Sequence, residues 1–333
     1  MGKTDRVTRA AACANVALVK YWGKRDLEAN LPAVGSISLT LDGLEAQARI
    51  SANPRERFTS RGAPVTGKAH DAMVQFLDWL AASRGHDIAL AVDIETNFPV
   101  AAGLASSAAI YCATASAGLS FLEAAVSRKE LSTIARRGSG SASRSVFGGL
   151  VEWHRGANAQ GDDSFAEPLL GPEDWELGMV VAILDEGKKK TSSRDAMQHV
   201  ADTSPLYSGW LEAQEEDLQS MREAIRTRDF STMGTITEES TLRMHAVTMA
   251  ARPAVLYWKP ATLEVMETVR QMREGGLQAY FTMDAGPQVK VLCQQNDMAA
   301  VAERLQALPP VLRVLQARAG GGVRILEGSI PWK

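Results

Sequence analysis

The chain has 333 residues, of which 45% are hydrophobic and 23% are charged, a composition typical of a globular protein long enough for two packed cores. Its net charge of -3 offers no basic excess for nucleic acid or an anionic membrane surface, and no apolar run approaches the roughly 20 residues of a membrane-spanning helix. Three cysteines without paired spacing predict neither a disulfide framework nor a metal site. We therefore expect a cytoplasmic protein.

The first predicted elements alternate between strands and helices. Residues 10–19 form an apolar run followed by lysines, which predicts a buried strand rather than a signal peptide. Apolar side chains alternate at residues 44–50 and again at 88–94, as expected of two half-buried strands. Between these strands, the helical spacing of apolar residues at 73–80 predicts a helix that ends near Gly85.

The second half of the chain has a more helical pattern. Residues 154–175 are rich in Gly, Asp, Asn and Pro and predict an exposed excursion. A buried strand is predicted at 179–184, and the polar run after it predicts a domain boundary, which divides the chain into residues 1–187 and 188–333. The elements predicted beyond the boundary are an amphipathic helix at 211–225, strands at 278–283 and 289–293, and a final helix at 298–308.

Two segments rich in Gly and Ser are candidates for binding phosphate. The turn at residues 99–109 includes Gly103, Ser106 and Ser107 and precedes a small-residue helix predicted up to Gly118. Main-chain N–H groups and the helix dipole at such a turn favour an anion, and a serine hydroxyl can reach a magnesium ion. Close packing of the helix on a sheet is the alternative explanation. The run Gly-Ser-Gly-Ser-Ala-Ser-Arg at residues 138–144 is a second such segment.

These segments resemble motifs of the GHMP kinase superfamily of small-molecule kinases and, within it, the diphosphomevalonate decarboxylase family. The turn at 99–109 matches the second superfamily motif. Three further motifs together indicate the decarboxylases: Tyr-Trp-Gly-Lys, Gly-Ser-Gly-Ser-Ala-x-Arg-Ser and Asp-Ala-Gly-Pro. The matching segments are residues 15–24, 31–32, 36–41, 97–109, 138–153, 188–197 and 281–287.

The resemblance implies a fold and a reaction. The fold is an α+β, two-domain GHMP-kinase-like fold, with an ATP-binding, ribosomal-protein-like α/β domain at the N-terminus and a ferredoxin-like domain at the C-terminus. ATP, with Mg²⁺, phosphorylates the tertiary C3 hydroxyl of mevalonate 5-diphosphate, after which phosphate and carbon dioxide leave and isopentenyl diphosphate forms. A homodimer that binds phosphorylated mevalonate is expected.

Three residues receive catalytic roles. Asp284 is expected to orient or deprotonate the C3 hydroxyl and to stabilise positive charge that develops at C3. Arg144 is expected to hold the substrate carboxylate by a bidentate pair, with Ser141 hydrogen-bonding beside it. From the residues alone, Asp284 can equally cap its own turn, and Arg144 can be a surface cation.

The remaining site residues divide between substrate and ATP. Predicted to bind the substrate are Tyr21, Lys24, Ser139, Ser193 and Arg194, together with Ser141 and Arg144. Predicted to bind ATP are Asn97, Pro99, Gly103, Leu104, Ala105, Ser106, Ser107 and Lys189, with Ser106 as a candidate contact of magnesium. Whether Lys20, Lys188 or Lys190 contacts ATP in place of Lys189 is open.

Alternatives to the diphosphate decarboxylase remain at this stage. The family often has Asn where Ala33-Val34-Gly35 precedes Ser36, and Pro where Cys13 stands, which leaves the number of phosphates on the substrate open. A mevalonate 5-phosphate decarboxylase and a mevalonate 3-kinase are the nearest alternatives. A serine acyl-transfer enzyme lacks its Gly-x-Ser-x-Gly or Ser-x-x-Lys motif here, and a non-catalytic nucleotide-binding regulator would have no use for Asp284 and Arg144.

Overall fold

The structure, a computed structural model, describes residues 6–98, 106–187 and 192–326. Its strands form an eight-stranded sheet, a four-stranded sheet and a two-stranded ribbon. Helices cover the sheets and fill the space between them. The strands are β1 Thr8–Val19, β2 Lys24–Asp26, β3 Leu31–Pro32, β4 Ser36–Ala52, β5 Phe58–Ser60, β6 Ala63–Pro64, β7 Leu90–Thr96, β8 Leu150–Trp153, β9 Ala166–Leu170, β10 Leu177–Ile183, β11 Ala279–Thr282, β12 Val289–Gln294, β13 Arg313–Arg318 and β14 Arg324–Leu326.

The first sheet carries one face of the candidate site. Its strand order is β14-β1-β4-β7-β5-β6, with β8 paired to β4 and β9 paired to β8. The long antiparallel pair of β1 and β4 is irregular between Cys13 and Asn15 and again between Ala17 and Val19. Such irregularities re-aim side chains next to active sites. The helices beside this sheet are α1 Lys68–Ser83, α2 Ser106–Phe121 and α3 Arg128–Gly138, followed by a 3₁₀ segment at Gly140–Val146.

Small residues allow α2 to lie close to β1, β4 and α1. Six of its 16 residues are buried alanines or serines, and a Cβ at Gly118 would lie 2.6 Å from a methyl group of Leu80 on α1. A larger residue at this position would push the helices apart. These small residues therefore pack α2 closely against α1 and the sheet.

The second sheet is antiparallel throughout, in the order β11-β12-β10-β13. Two helices, α7 and α8, pack on one face around Val265, Val269 and Leu305. On the other face, α5 and α6 share a core with β1 and β4, so one apolar cluster joins the two sheets. The helices of this half are α4 Ser193–Thr203, α5 Tyr207–Thr227, α6 Phe230–Met249, α7 Pro260–Glu274 and α8 Met298–Gln306.

Most predicted elements are present. The strands expected from residues 10–19, 44–50, 88–94, 179–184, 278–283 and 289–293 correspond to β1, β4, β7, β10, β11 and β12, and the expected helices to α1, α2, α5 and α8. Among the described residues, no helix is long and apolar enough to cross a membrane.

Two predictions about organisation were wrong. The excursion at residues 154–175 contains β9, in which Ala166 is fully buried opposite Trp153 of β8, and Ser164 before it is also fully buried, with its Oγ bonded to Trp153 and to the oxygen of His154. The helix α8 is not the last of the described elements, since β13 extends the second sheet and β14 returns to pair with β1. The division at residue 187 stays a prediction, although β10 precedes it and already belongs to the second sheet.

Candidate active site

Asp284 lies in the turn after β11, with its carboxylate between two lysines. Nζ of Lys20, which directly follows β1, is 2.8 Å from Oδ1, and Nζ of Lys290 on β12 is 2.7 Å from Oδ2. Both lysine side chains are 1% exposed, whereas the Asp284 side chain is 25% exposed. The oxygens are held by lysines rather than by N–H groups of their own turn. The turn-capping explanation of Asp284 is therefore wrong.

The charges of this cluster keep Asp284 ionised. Burial alone would raise the pKa of the Asp284 carboxyl, but the two lysines outweigh it and hold that pKa well below its usual range. Burial lowers the pKa of Lys20 to about 8, with Asp284 opposing this effect and Lys290 and Arg144 adding to it. An aspartate in this environment is a poor proton acceptor. It is better suited to orienting a hydroxyl group and stabilising positive charge.

Arg144 is a buried cation rather than a surface residue. It lies in the 3₁₀ segment and is 3% exposed. Its Nε donates to Oδ1 of Asn15 at 3.1 Å, and its Nη1 donates to Oγ of Ser36 at 2.5 Å. Burial lowers the pKa of Arg144 to about 10, which still leaves the guanidinium charged at neutral pH. These two hydrogen bonds use only part of the five N–H groups of the guanidinium, so donors remain for a carboxylate.

The two predicted Gly/Ser segments meet through their hydroxyl groups. Ser139 donates to Oγ of Ser107 at 3.2 Å, and its Oγ lies 3.3 Å from Oγ of Ser141. Ser107 lies in the first turn of α2, and Ser139 precedes the 3₁₀ segment. A Cβ at Gly140 would come within 2.7 Å of the Trp153 ring, so this close approach requires glycine. Hydroxyl groups and a helix N-terminus therefore converge at one place, as an anion site requires.

Tyr21 presents a buried hydroxyl without a hydrogen-bond partner in the described part of the chain. Its ring packs edge-on against Trp153 with centroids 4.8 Å apart. Burial raises the pKa of Tyr21, while the positive charges of Arg144 and Arg194 oppose this effect. A buried hydroxyl without a partner is costly, which makes Tyr21 a candidate for binding an anionic ligand.

Lys24 and Arg194 lie near each other beside Tyr21. Burial first, and then repulsion from Arg194, lowers the pKa of Lys24 to about 8. The ammonium of Lys24 contacts Oδ1 of Asn30, which in turn donates to the main-chain oxygen of Arg137 at 2.8 Å. Ser193 and Arg194 begin α4. The electrostatic interactions of Arg194 with Tyr21 and Lys24 thus join predicted substrate-binding residues from the two halves of the chain, and the role of Ser193 stays a prediction.

The ATP-binding predictions are only partly within the described residues. The Asn97 side chain binds the main chain of β4, donating to the oxygen of Gly43 at 2.9 Å and accepting from N of Glu45 at 2.8 Å. Ser106 is the first residue of α2. Their contacts with ATP and magnesium stay predictions. Pro99, Gly103, Leu104, Ala105, Lys188, Lys189 and Lys190 lie outside the described residues.

Three residues of the site had no predicted role. Lys290 binds the second oxygen of Asp284, whereas Asn15 and Ser36 hold Arg144. Asn15 also donates to the oxygen of Ser141 at 3.0 Å and to Oγ of Ser145 at 2.8 Å, which fixes the 3₁₀ segment. A signal was present in the sequence, because Asn15 and Lys290 each interrupt the apolar pattern of a buried strand. Such residues need a polar partner, but the pattern does not reveal which.

A separate cavity of about 560 Å³ lies on the far side of β8 from Tyr21. Its lining includes Ala33, Val34 and Gly35, which depart from the family pattern, together with Gln214 and Leu218 of α5. None of the predicted site residues that the structure describes lines it. The three residues that depart from the family pattern therefore face α5, and a Cβ at Gly35 would lie 2.9 Å from Leu218 of that helix.

Comparison with known proteins identifies the family. A model of the diphosphomevalonate decarboxylase-like N-terminal domain matches residues 12–166, and a model of the mevalonate 5-diphosphate decarboxylase C-terminal domain matches residues 179–320. Diphosphomevalonate decarboxylase of Candida albicans is 34% identical over 311 residues, covering 88% of this chain and 86% of that protein. The chain belongs to the diphosphomevalonate decarboxylase family.

Solved structures extend the similarity to the whole fold. Mevalonate diphosphate decarboxylase from Staphylococcus aureus is 35% identical with a TM-score of 0.91, covering 97% of this chain and 98% of that one. The protein MDDEF, solved in complex with MVAPP, AMPPCP and magnesium, is 39% identical with a TM-score of 0.90, covering 97% and 99%. These matches confirm the α+β, two-domain architecture and the assignment to the diphosphomevalonate decarboxylases.

Proposed function

We propose that the protein catalyses the ATP-dependent decarboxylation of mevalonate 5-diphosphate to isopentenyl diphosphate, with release of ADP, phosphate and carbon dioxide. The observation that carries this proposal is the charge of the Asp284 cluster. Lys20, Lys290 and Arg144 supply three cations against one carboxylate within a largely buried region. Buried positive charge in excess is stabilised by an anionic ligand. A phosphorylated substrate that also bears a carboxylate meets this requirement.

Asp284 orients the C3 hydroxyl in this proposal. Its carboxylate has about four lone-pair positions, and the two lysines occupy one on each oxygen. The remaining positions accept the hydrogen bond of the substrate hydroxyl. Because the lysines depress the pKa of Asp284, the carboxylate stays ionised and stabilises positive charge at C3 when phosphate departs.

Binding of the substrate is divided between two groups of residues. Tyr21, Lys24 and Arg194, with Ser193, bind the diphosphate by donating hydrogen bonds to its oxygens. Arg144, fixed by Asn15 and Ser36, holds the carboxylate for loss as carbon dioxide, and Ser141 and Ser139 lie beside it. The unpartnered Tyr21 hydroxyl and the unused N–H groups of Arg144 support this division.

ATP and Mg²⁺ fit the hydroxyl cluster at the N-terminus of α2. ATP supplies the phosphoryl group that turns the C3 oxygen into a leaving group, and Mg²⁺ neutralises the phosphate charge. Ser107 and Ser139 offer hydroxyls there, the helix offers N–H groups, and Ser106 is the proposed contact of the metal. The proposal includes the predicted loop residues and one lysine of 188–190. Binding of AMPPCP and magnesium by MDDEF supports it.

The remaining proposals concern the setting of the enzyme. We place it in the cytoplasm as a homodimer, with an ATP-binding domain at residues 1–187 and a second domain at 188–333. The three unpaired, buried cysteines are consistent with a reducing compartment. Sedimentation at several protein concentrations tests the dimer.

Product analysis tests the reaction. The protein is incubated with ATP, Mg²⁺ and one of three substrates: mevalonate, its 5-phosphate or its 5-diphosphate. ADP and carbon dioxide are measured separately. We expect equimolar ADP and carbon dioxide with the diphosphate alone. Carbon dioxide from the monophosphate would instead identify a phosphomevalonate decarboxylase, and ADP without carbon dioxide would identify a kinase.

A further inference from the structure

We infer that Lys290 is a positioning residue, which together with Lys20 fixes the rotation of the Asp284 carboxylate and keeps it ionised. The inference rests on the proposed function only for the identity of the substrate hydroxyl that the carboxylate orients. Lys290 lies on β12, six residues after Asp284, and its Nζ is 2.7 Å from Oδ2. Its side chain is 1% exposed, and it is the one polar residue among the five buried residues of β12.

The geometry explains why two lysines are needed. A carboxylate held at one oxygen can still rotate about the bond to Cβ, so its free lone pairs are not directed. Lys20 binds Oδ1 at 2.8 Å and Lys290 binds Oδ2, which removes this rotation. One free lone-pair position on each oxygen then has a fixed direction towards the exposed quarter of the side chain.

The two lysines are anchored in different sheets. Lys20 is held at the end of β1, because its Nζ also donates to the oxygen of Ala17 at 2.8 Å. Its main-chain N donates to Oγ of Ser240 on α6 at 3.0 Å. Lys290 belongs to β12 in the second sheet. Asp284 is therefore fixed relative to both sheets, and thus relative to Arg144 beside β1. Loss of Lys290 leaves Lys20 as the single anchor.

Among the described residues, four charged or titratable groups interact with Asp284 and set its pH response. These are Lys20, Lys290, Arg144 and His245 of α6. Burial first, and then Lys20, lowers the pKa of His245 to about 3, so the imidazole is neutral during turnover. Lys290 lowers the pKa of both Asp284 and Lys20. Removing the charge of Lys290 raises both pKa values. In a plot of kcat against pH, the acidic and the alkaline limbs therefore both move to higher pH.

The test compares Lys290→Met, Lys290→Arg and the control Lys259→Met. Lys259 forms an ion pair with Asp185 at a half-exposed position of the same half of the chain, whereas the lysines that pair with Asp284 are Lys20 and Lys290. For Lys290→Met we expect kcat to fall by about 10- to 100-fold while the KM values for both substrates stay within about three-fold. Lys290→Arg, which keeps the charge, recovers part of kcat, and Lys259→Met has the kcat of the wild type.

A second measurement does not depend on turnover. In protein labelled with ¹³C at the aspartate carboxyl, the Asp284 resonance is the one missing from Asp284→Asn. Its titration midpoint moves to higher pH in Lys290→Met and stays in place in Lys259→Met. The inference is wrong if this midpoint does not move, if kcat of Lys290→Met is within two-fold of the wild type, or if only KM changes. If the wild type releases no carbon dioxide, the proposed function fails and the titration alone decides the role of Lys290.

Discussion

The ammonium of Lys20 lies 2.8 Å from Oδ1 of Asp284, although 264 positions separate the two residues in the sequence. The pair joins the end of β1 in the first sheet to the turn after β11 in the second. Its formation depends on the packing of the two sheets against α5 and α6, since one apolar core includes residues of all these elements. The Lys20–Asp284 pair therefore requires that the two sheets stay packed together.

Asp284→Asn tests the central carboxylate. Asparagine keeps the shape of the side chain but removes the charge that opposes Lys20 and Lys290. We expect turnover to fall by about 1,000-fold or more, because the hydroxyl loses its ionised acceptor. Calorimetric titration should show substrate binding within a few-fold of the wild type. Full activity of the variant would contradict the assigned role.

The same variant is expected to be less stable. Two buried lysines without a counter-ion cost about 3 kcal/mol or more, unless one of them loses its proton. Chemical denaturation at pH 7 and pH 9 separates these cases. A loss of stability that is smaller at pH 9 indicates that a lysine has become neutral.

Ser36→Ala tests the support of Arg144. The serine accepts a hydrogen bond from Nη1, and its loss leaves a charged donor buried without a partner, at a cost of about 1.5–3 kcal/mol. Ser38→Ala is the matched control, because Ser38 lies two residues further along β4, is equally buried, and has no hydrogen-bond partner for its Oγ in the described part of the chain. The free energy of unfolding, measured by urea denaturation, and the KM for the substrate should both change in Ser36→Ala. Both should stay near the wild-type values in Ser38→Ala.

Tyr21→Phe separates stability from binding. The hydroxyl is buried without a partner, so removing it should leave the free energy of unfolding unchanged or raise it. Binding of the diphosphate should weaken by about 5- to 30-fold, since one donor to its oxygens is lost. Melting temperature and calorimetric affinity are the measurements. A loss of stability without a loss of affinity would mean that the hydroxyl is bound within the protein and does not bind the substrate.

The pH dependence of substrate affinity tests Lys24. Its pKa is lowered to about 8, so the ammonium is present below this pH and is lost as the pH rises through it. Affinity for the diphosphate should therefore decline above pH 8. Lys24→Arg, whose charge persists, should remove this decline. An unchanged alkaline decline in Lys24→Arg would assign it to another group.

The sequence predicted the elements whose patterns are local. Alternating apolar residues marked β4 and β7, helical spacing marked α1, and the Gly/Ser segments marked the turns whose hydroxyls meet at Ser107 and Ser139. It missed β9 and β14, because their short strands are defined by pairing with β8 and β1 rather than by their own pattern. It also gave Leu211 a place in the apolar stripe of α5, whereas this residue is 38% exposed.

The sequence by itself determined the family and the chemical types of the site residues, because its motifs keep a hydroxyl, a guanidinium or a carboxylate at set positions. Tertiary structure decided the electrostatics. Only the meeting of β1 with the turn after β11 shows that Asp284 is held by two buried lysines, and only the burial of Arg144 shows why Asn15 and Ser36 are polar. A pKa depends on distance and burial, and neither is a property of residue spacing along the chain.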